Sequence, residues 1–263
     1  MIEAVFFDID GTLVPYGQPH IPEDAEAALS ALHEKGIRLA LCTGRPPGAL
    51  RLLNERVRNF PWDGVITANG QLCRCGDNVI RRECISKETL HQLVPWIKEK
   101  QIPAVFFELE ETYTSCRILS LEEHYRRSGW GDRLPPILDP ERSYTHETIQ
   151  ICPYVPPEVD AEFLAHAPGM RSERWADHFA DMIPENGGKD RGIEAMLEYW
   201  HISRDSCMAV GDGANDRSMI AYAPYGVAMA NAPDTVKAAA DYVTSLAEEG
   251  GLVQAFRHYG LID

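Results

Sequence analysis

The 263-residue sequence has no apolar run approaching the roughly twenty residues that a membrane span needs. It also has no compact cluster of Lys and Arg. With 25 Lys+Arg against 40 Asp+Glu, the formal net charge is −15 and the pI is near 5.0. Binding to a phosphate backbone needs a basic face, so nucleic acid is excluded as the main partner. The first residues, M-I-E-A-V-F-F-D-I-D, hold no basic segment, and Asp8 and Asp10 cut their apolar stretch. They do not read as a signal peptide. A disulfide framework is missing as well, because the seven cysteines are odd in number and scattered from Cys42 to Cys207. The expected setting is the reducing cytoplasm. Cys73-x-Cys75 with Cys84 invites a metal-site reading, but no second pair or nearby His completes a zinc set, and structural thiols are the better reading.

Apolar residues make up 44% of the chain and charged ones 25%, enough to bury the core of one large domain or two modest ones. Ala4–Phe7, Leu39–Cys42 and Gly64–Thr67 are short continuous apolar runs, as in strands buried on both faces of a parallel sheet. Between the first two, Ala25, Ala28, Leu29 and Leu32 recur at helical spacing, with Pro22 before them and Gly36 as the stop. The same alternation returns near the end of the chain. Ile193, Met196, Leu197 and Trp200 form a helical stripe, and the runs Cys207–Val210, Gly226–Met229 and Tyr242–Thr244 follow. A last helix is expected at Leu252, Val253 and Phe256. The two ends therefore read as halves of one doubly wound, Rossmann-like α/β domain, residues 1–84 and 183–263.

Residues 85–182 read as an inserted α+β domain with an antiparallel sheet. Leu90, Leu93, Val94 and Ile97 mark a helix, in which Pro95 predicts a kink or a late start. Strands are expected at Ala104–Glu108, Thr112–Cys116, around Ile149–Ile151 and over Trp175–Met182. Pro-rich stretches at 135–140 and 153–157 read as surface loops.

The sharpest motif is D-I-D-G-T-L, Asp8 to Leu13, directly after the first buried strand. Ligands of open α/β sheets bind at the carboxyl ends of strands. Two carboxylates this close repel unless a cation neutralises them, and hard oxygen donors suit Mg²⁺. Taken alone, D-x-D is better explained by solvated turn acids. Three further strand or helix ends change the odds. C-T-G-R places Thr43 and Gly44 after the second strand, where a hydroxyl and backbone N–H groups make an anion site or simply cap a helix. G-D-G-A-N-D, Gly211 to Asp216, again puts acids after a buried strand, or forms a solvated turn. Lys189 follows Gly187-Gly188 and would, on its own, be a surface cation.

In this order and together, D-x-D-G-T-L, T-G-R, an isolated Lys and G-D-G-x-N-D resemble the haloacid dehalogenase superfamily of phosphotransferases. The inserted domain resembles the Cof-type sugar-phosphatase branch, which carries a large α+β cap. The resemblance implies a Mg²⁺-dependent phosphatase acting on a small phosphorylated metabolite. Asp8 would be the nucleophile that forms an aspartyl-phosphate, and Asp10 the acid and base. Mg²⁺ would be held by Asp8, the backbone carbonyl of Asp10 and Asp212. Thr43, Gly44, Lys189, the backbone N–H of Ile9 and Asn215 would bind the phosphoryl oxygens. Asp216 would steer Lys189 or the metal's water shell. Asp190 departs from the Gly that commonly follows this Lys, which leaves the pose of Lys189 open.

In this family the cap closes over the site and touches the leaving group. Glu108, Tyr113, His124, Arg126, Arg127, Trp130 and His178 are candidates, although for each an ordinary exposed or core position is the better reading. Asn69-Gly70 after the third strand either faces the cleft or is a structural turn. A phosphomutase, a pyrophosphatase-type or nucleotide substrate, a receiver-like phospho-Asp switch and a non-catalytic binding protein are the competing functions. The sequence does not fix the substrate or the oligomeric state.

Overall fold

The computed structural model describes residues 1–127 and 133–263. Trp130 lies outside the described residues, as do the side chains of His124, Arg127 and Trp175. The first strands are β1 (Ala4–Phe7), β2 (Arg38–Cys42), β3 (Gly64–Thr67), β4 (Leu72–Cys75) and β5 (Asn78–Arg82). Next come β6 (Ala104–Glu108), β7 (Thr112–Thr114), β8 (Thr148–Pro153), β9 (Met170–Ala176) and β10 (Phe179–Pro184). The last are β11 (Cys207–Gly211), β12 (Tyr225–Ala228) and β13 (Tyr242–Val243).

These build two compact units, Met1–Arg45 with Leu53–Arg81 and Gly188–Asp263, and Pro46–Leu52 with Arg82–Gly187. The first unit holds an eight-stranded sheet in the order β13-β12-β11-β1-β2-β3-β4-β5. From β13 to β3 the pairs are parallel, and β4 then pairs antiparallel with β3. Strand order reverses beside β1, the place where open α/β sheets bind ligands.

Both faces of this sheet are covered, as the continuous apolar strands require. Phe6, Ala40, Ile66 and Ala209 pack with Ile193, Met196 and Leu197 of the helix Lys189–Trp200. On the opposite face Phe7 meets Phe256 edge-on, ring centres 6.1 Å apart, in the helix Gly251–His258. The doubly wound α/β reading holds, with one addition. β4 and β5 extend the sheet as short, part-exposed strands across Gly76-Asp77, and Cys73 is buried while Arg74 is exposed.

The second unit is α+β, with a five-stranded sheet in the order β7-β6-β8-β10-β9. Its described pairs are antiparallel. One local expectation is narrowed and another is corrected. The helix begins at Lys87, runs through Pro95 to Lys100 and does not start late. Ser86 Oγ accepts from Thr89 N–H at 3.0 Å and caps it, and Leu90, Leu93, Val94, Trp96 and Ile97 bury one face, which offsets the donor that proline lacks. The stretch around 175–182 is two strands, β9 and β10, turning between Ala176 and Phe179.

Burial divides the cysteines. Cys42, Cys73, Cys152 and Cys207 are buried, Cys75, Cys84 and Cys116 are half-buried, and all are free thiols. Burial pushes the Cys73 and Cys207 thiols up to about 12 and those of Cys42 and Cys152 well above their usual range. The thiolate is the reactive form. Ellman's reagent at pH 8 should therefore titrate only Cys75, Cys84 and Cys116 in the native protein, and the other four after denaturation. Prompt release of more than three equivalents from the native protein would contradict this.

Candidate active site

Asp8 is the first residue beyond β1, and its N–H donates to Val210 O of β11 at 3.0 Å. Asp212 is the first residue beyond β11, so two parallel neighbours deliver these acids to the same sheet edge. Gly11 turns the chain with φ +87°, and a Cβ there would collide with Asp212 Oδ2 and the Tyr16 ring. Glycine is required for both reasons. Thr12 Oγ1 donates to Asp212 Oδ1 at 2.8 Å. Tyr16 OH and Asn231 Nδ2 donate to Asp212 Oδ2 at 3.1 and 2.7 Å.

Lys189 opens the helix Lys189–Trp200 and is fully buried. Its Nζ donates to Asp8 Oδ1 at 2.6 Å and to Asp216 Oδ1 at 2.5 Å. The other oxygen of Asp216 accepts from the N–H groups of Asp212 and Gly213 at 2.9 and 2.7 Å. Asp216 thus ties the 211–216 loop to Lys189. The lysine enters through a close glycine contact: a Cβ on Gly70, at φ +93°, would overlap Gly188 O.

Oxygens of Asp8, Asp212 and Asp216 lie within 4.8 Å of one another, all three residues buried. Burial lifts the Asp8 carboxyl well above the usual range, Lys189 pulls it back, and Asp216, Asp212 and Asp10 raise it further. Burial, followed by the charge of Asp216, pushes Asp212 up to about 7. For Lys189 burial opposes the charged form, but Asp216 and Asp8 outweigh it and keep the ammonium protonated.

Three acidic side chains against one ammonium crowd negative charge in a buried site, which raises Asp8 and Asp212 and which a divalent cation would relieve. The donor set is all oxygen, as Mg²⁺ prefers, and both oxygens of Asp212, like both of Asp216, also accept hydrogen bonds from protein. The residues present fit the metal by their chemistry, with the carboxylates of Asp8, Asp212 and Asp216 converging. Among the described residues, no cysteine belongs to a converging cluster of His, Cys, Asp or Glu.

Thr43 and Gly44 follow β2. Thr43 is buried and its Oγ1 accepts from Arg45 N–H at 3.2 Å. A Cβ on Gly44 would sit 3.1 Å from Asn69 Oδ1 and 3.3 Å from Asn215 Nδ2, so this glycine backbone lies against two amides. Asp10 is turned toward Arg45, whose Nε and second guanidinium nitrogen (NH2) donate to Asp10 Oδ2 and Oδ1 at 2.7 and 2.6 Å. Ile9 is fully buried, and its carbonyl accepts from Val14 N–H at 2.8 Å. Asp190, next to Lys189, lies 3.9 Å from Arg191 Nε.

Asp8, Lys189, Asp212 and Asp216 are thus brought into one buried group. Thr43, Gly44 and Asn215 belong to neighbouring loops of the same unit. Sequence reading missed Tyr16 and Asn231 as partners of Asp212 and missed the Arg45 fork on Asp10. For Arg45 a signal existed, since it stands in the T-G-R motif. In the inserted unit, Glu108 is buried and paired with Arg142 at 2.9 Å, and Tyr113 is buried and stacked on Phe106 at 4.9 Å. His178 lies edge-on to Phe179 at 4.9 Å, and Arg126 is exposed.

The chain as a whole is matched among known proteins. Residues 5–256 match the family model for haloacid dehalogenase-like hydrolases, and the chain belongs to that family. It is an enzyme, a phosphoric monoester hydrolase of the haloacid dehalogenase type with a Cof-like insert. A solved structure described for a trigonal-bipyramidal intermediate in a phosphoryl-transfer superfamily superposes with a TM-score of 0.92, is 33% identical and covers 100% of both chains. The structure of the subclass IIB sugar phosphatase BT4131 gives a TM-score of 0.89 at 34% identity, covering 99% of this chain and 100% of that one. The 5-amino-6-(5-phospho-D-ribitylamino)uracil phosphatase YcsE of Bacillus subtilis is 25% identical over 99% of this chain and 96% of its own.

Proposed function

We propose that this chain is a Mg²⁺-dependent phosphatase of small phosphomonoesters, sugar phosphates among them, that works through an aspartyl-phosphate on Asp8. The observation that carries the reading is the buried Asp8 carboxylate, 2.6 Å from Lys189 Nζ and beside Asp212 and Asp216. A carboxylate held at a strand end by a fixed ammonium is a positioned nucleophile. Likeness to a subclass IIB sugar phosphatase supports the substrate class.

An oxygen of Asp8 attacks phosphorus and the bond from phosphorus to the leaving oxygen breaks. Asp10 hands its proton to that oxygen, releasing the alcohol. Asp10 then takes a proton from water as the water oxygen attacks phosphorus, which frees phosphate and restores Asp8. For Asp10 to serve, one of its two bonds to Arg45 has to open. Thr43 Oγ1, the N–H groups of Ile9 and Gly44, Asn215 Nδ2 and Lys189 Nζ would hold the phosphoryl oxygens. Asp216 holds Lys189 in place and keeps the 211–216 loop closed on it. Asp8, the Asp10 carbonyl and Asp212 would hold Mg²⁺, which when bound neutralises phosphoryl charge and the surplus of the carboxylates.

The test is release of p-nitrophenol from p-nitrophenyl phosphate with Mg²⁺ and with EDTA. Turnover should require Mg²⁺, and its persistence in EDTA would refute the metal's role. A second readout does not depend on activity. Because ligand binding to the native state raises stability, Mg²⁺ should raise the unfolding temperature of the wild type. It should leave that of Asp212→Asn unchanged.

A further inference from the structure

We propose that Asn69 is a positioning residue of the phosphoryl-binding loops, one that sets the amide of Asn215 through its own side chain; the inference rests on the phosphatase reading above. By sequence alone, Asn69-Gly70 is either a cleft-facing element or a plain turn. The structure distinguishes the two.

Residues 68–70 are three consecutive left-handed residues, with φ +48° at Ala68, +53° at Asn69 and +93° at Gly70. That conformation is unfavourable for a residue with a Cβ and is tolerated best by Gly and Asn. What the bend achieves is visible in its hydrogen bonds. Ala68 N–H donates to Arg45 O at 2.9 Å, and Asn69 N–H donates to Thr43 O at 3.1 Å. Asn69 O in turn accepts from Gly188 N–H at 3.1 Å. The backbone of one short segment therefore ties the loop after β2 to the residue before Lys189.

The side chain adds a third connection. Asn69 is 1% exposed, and its Oδ1 accepts from Asn215 Nδ2 at 2.9 Å across 146 residues of sequence. Both amides lie against Gly44, within 3.4 Å of where a Cβ would be. A plain turn needs the backbone of Asn69 and not its amide. An amide nitrogen has two hydrogens, and pinning one of them on Asn69 fixes the direction of the other. Asn215 sits on a single turn, Ala214–Asp216, and its amide nitrogen is oriented by the bond to Asn69.

Two substitutions separate backbone from side chain. Asn69→Gly keeps the left-handed preference and removes the amide, and Asn69→Asp keeps the accepting oxygen. Turnover of p-nitrophenyl phosphate with Mg²⁺ is measured for the wild type, both variants, Asn215→Ala and the double variant Asn69→Gly/Asn215→Ala, alongside unfolding temperatures. We expect Asn69→Gly to lose about tenfold in kcat/KM, roughly the value of one well-placed hydrogen bond, with an unfolding temperature near that of the wild type. Asn69→Asp should stay within about threefold of wild-type kcat, its added charge appearing in KM. The double variant should be no worse than Asn215→Ala, because residues acting through one another are not additive.

Wild-type kcat and KM in Asn69→Gly, or a loss that adds in full to that of Asn215→Ala, would overturn the proposal. If Asn69→Gly does not fold, Asn69→Asp decides: a kcat as low as that of Asn215→Ala overturns it, and retention supports it. An inactive wild type would instead overturn the phosphatase reading. Titration of the same proteins with inorganic phosphate by calorimetry then tests Asn69 independently. The same order of affinities is expected, and equal affinity in the wild type and Asn69→Gly would overturn the positioning role.

Discussion

Replacing Asp8 with Asn should lower kcat by at least about 10⁴-fold, the scale seen when a covalent nucleophile is removed, while the unfolding temperature stays at or above that of the wild type. The two halves of this expectation have separate causes. Asn has no carboxylate to attack phosphorus, so no aspartyl-phosphate forms. Stability moves the other way because Asp8 is buried among Asp212 and Asp216, and burial is the largest of the influences that lift its carboxyl above the usual range. A raised carboxyl means that the ionised form is disfavoured in the fold, so at neutral pH the charge of Asp8 costs stability that a neutral isostere recovers. Asn retains an oxygen to accept from Lys189, which keeps its ion pair with Asp216 at 2.5 Å. Turnover of p-nitrophenyl phosphate and a thermal melt on the same preparation check both halves. Near-normal turnover would remove Asp8 from the nucleophile's place. A melt many degrees lower would mean that Asp8 serves the fold more than its surroundings imply.

The parts of the molecule that are legible in the sequence share one physical origin. A strand buried on both faces must be apolar along its whole length, so Ala4–Phe7 and Gly64–Thr67 could be read residue for residue. In an open parallel sheet whatever follows such a strand lies at the binding edge. The same logic put Asp8, Thr43 and Asp212 in one region. It does not reach β4 and β5, where burial fades from Leu72 and Cys73 to the exposed Arg74 and Asn78 and L-C-R-C reads as thiols before it reads as an edge. Nor does it reach β9 and β10, two strands with a turn too short to interrupt the pattern.

Contacts between distant residues are illegible for a different reason. Arg45 on Asp10, Asn231 on Asp212 and Tyr16 on Asp212 link positions 35, 19 and 196 residues apart. No periodicity encodes them, and they follow only once strand order is known. Asn69 falls between the two cases: Asn-Gly marks a turn of any kind, and its bond to Asn215 becomes visible only when β3 and β11 are set in the same sheet.

Lys189 makes a sharper test of what holds this site together. Lys189→Met should lower stability by about 3–5 kcal/mol, as expected for breaking a buried ion pair from one side, and should abolish measurable turnover. For a chain of this size that corresponds to a fall in unfolding temperature on the order of 10 °C. The side chain is fully buried and is the ammonium shared by Asp8 and Asp216. Without it the carboxylates lose their compensation, and each has either to stay ionised in a buried place or to take up a proton, both at a cost in stability. The alternative is that stability falls only because Met packs badly where Lys stood. Adding Asp216→Asn distinguishes the two. Asn keeps an oxygen for the N–H groups of Asp212 and Gly213 and removes one uncompensated charge, so the double variant should regain part of the lost stability. Turnover should not return, because the cation facing the phosphoryl group is still missing. A double variant that melts no higher than Lys189→Met would show packing, rather than charge, to be the cause. Recovery of stability without recovery of turnover would show that the buried lysine serves the fold through Asp216 and the chemistry through its place beside Asp8.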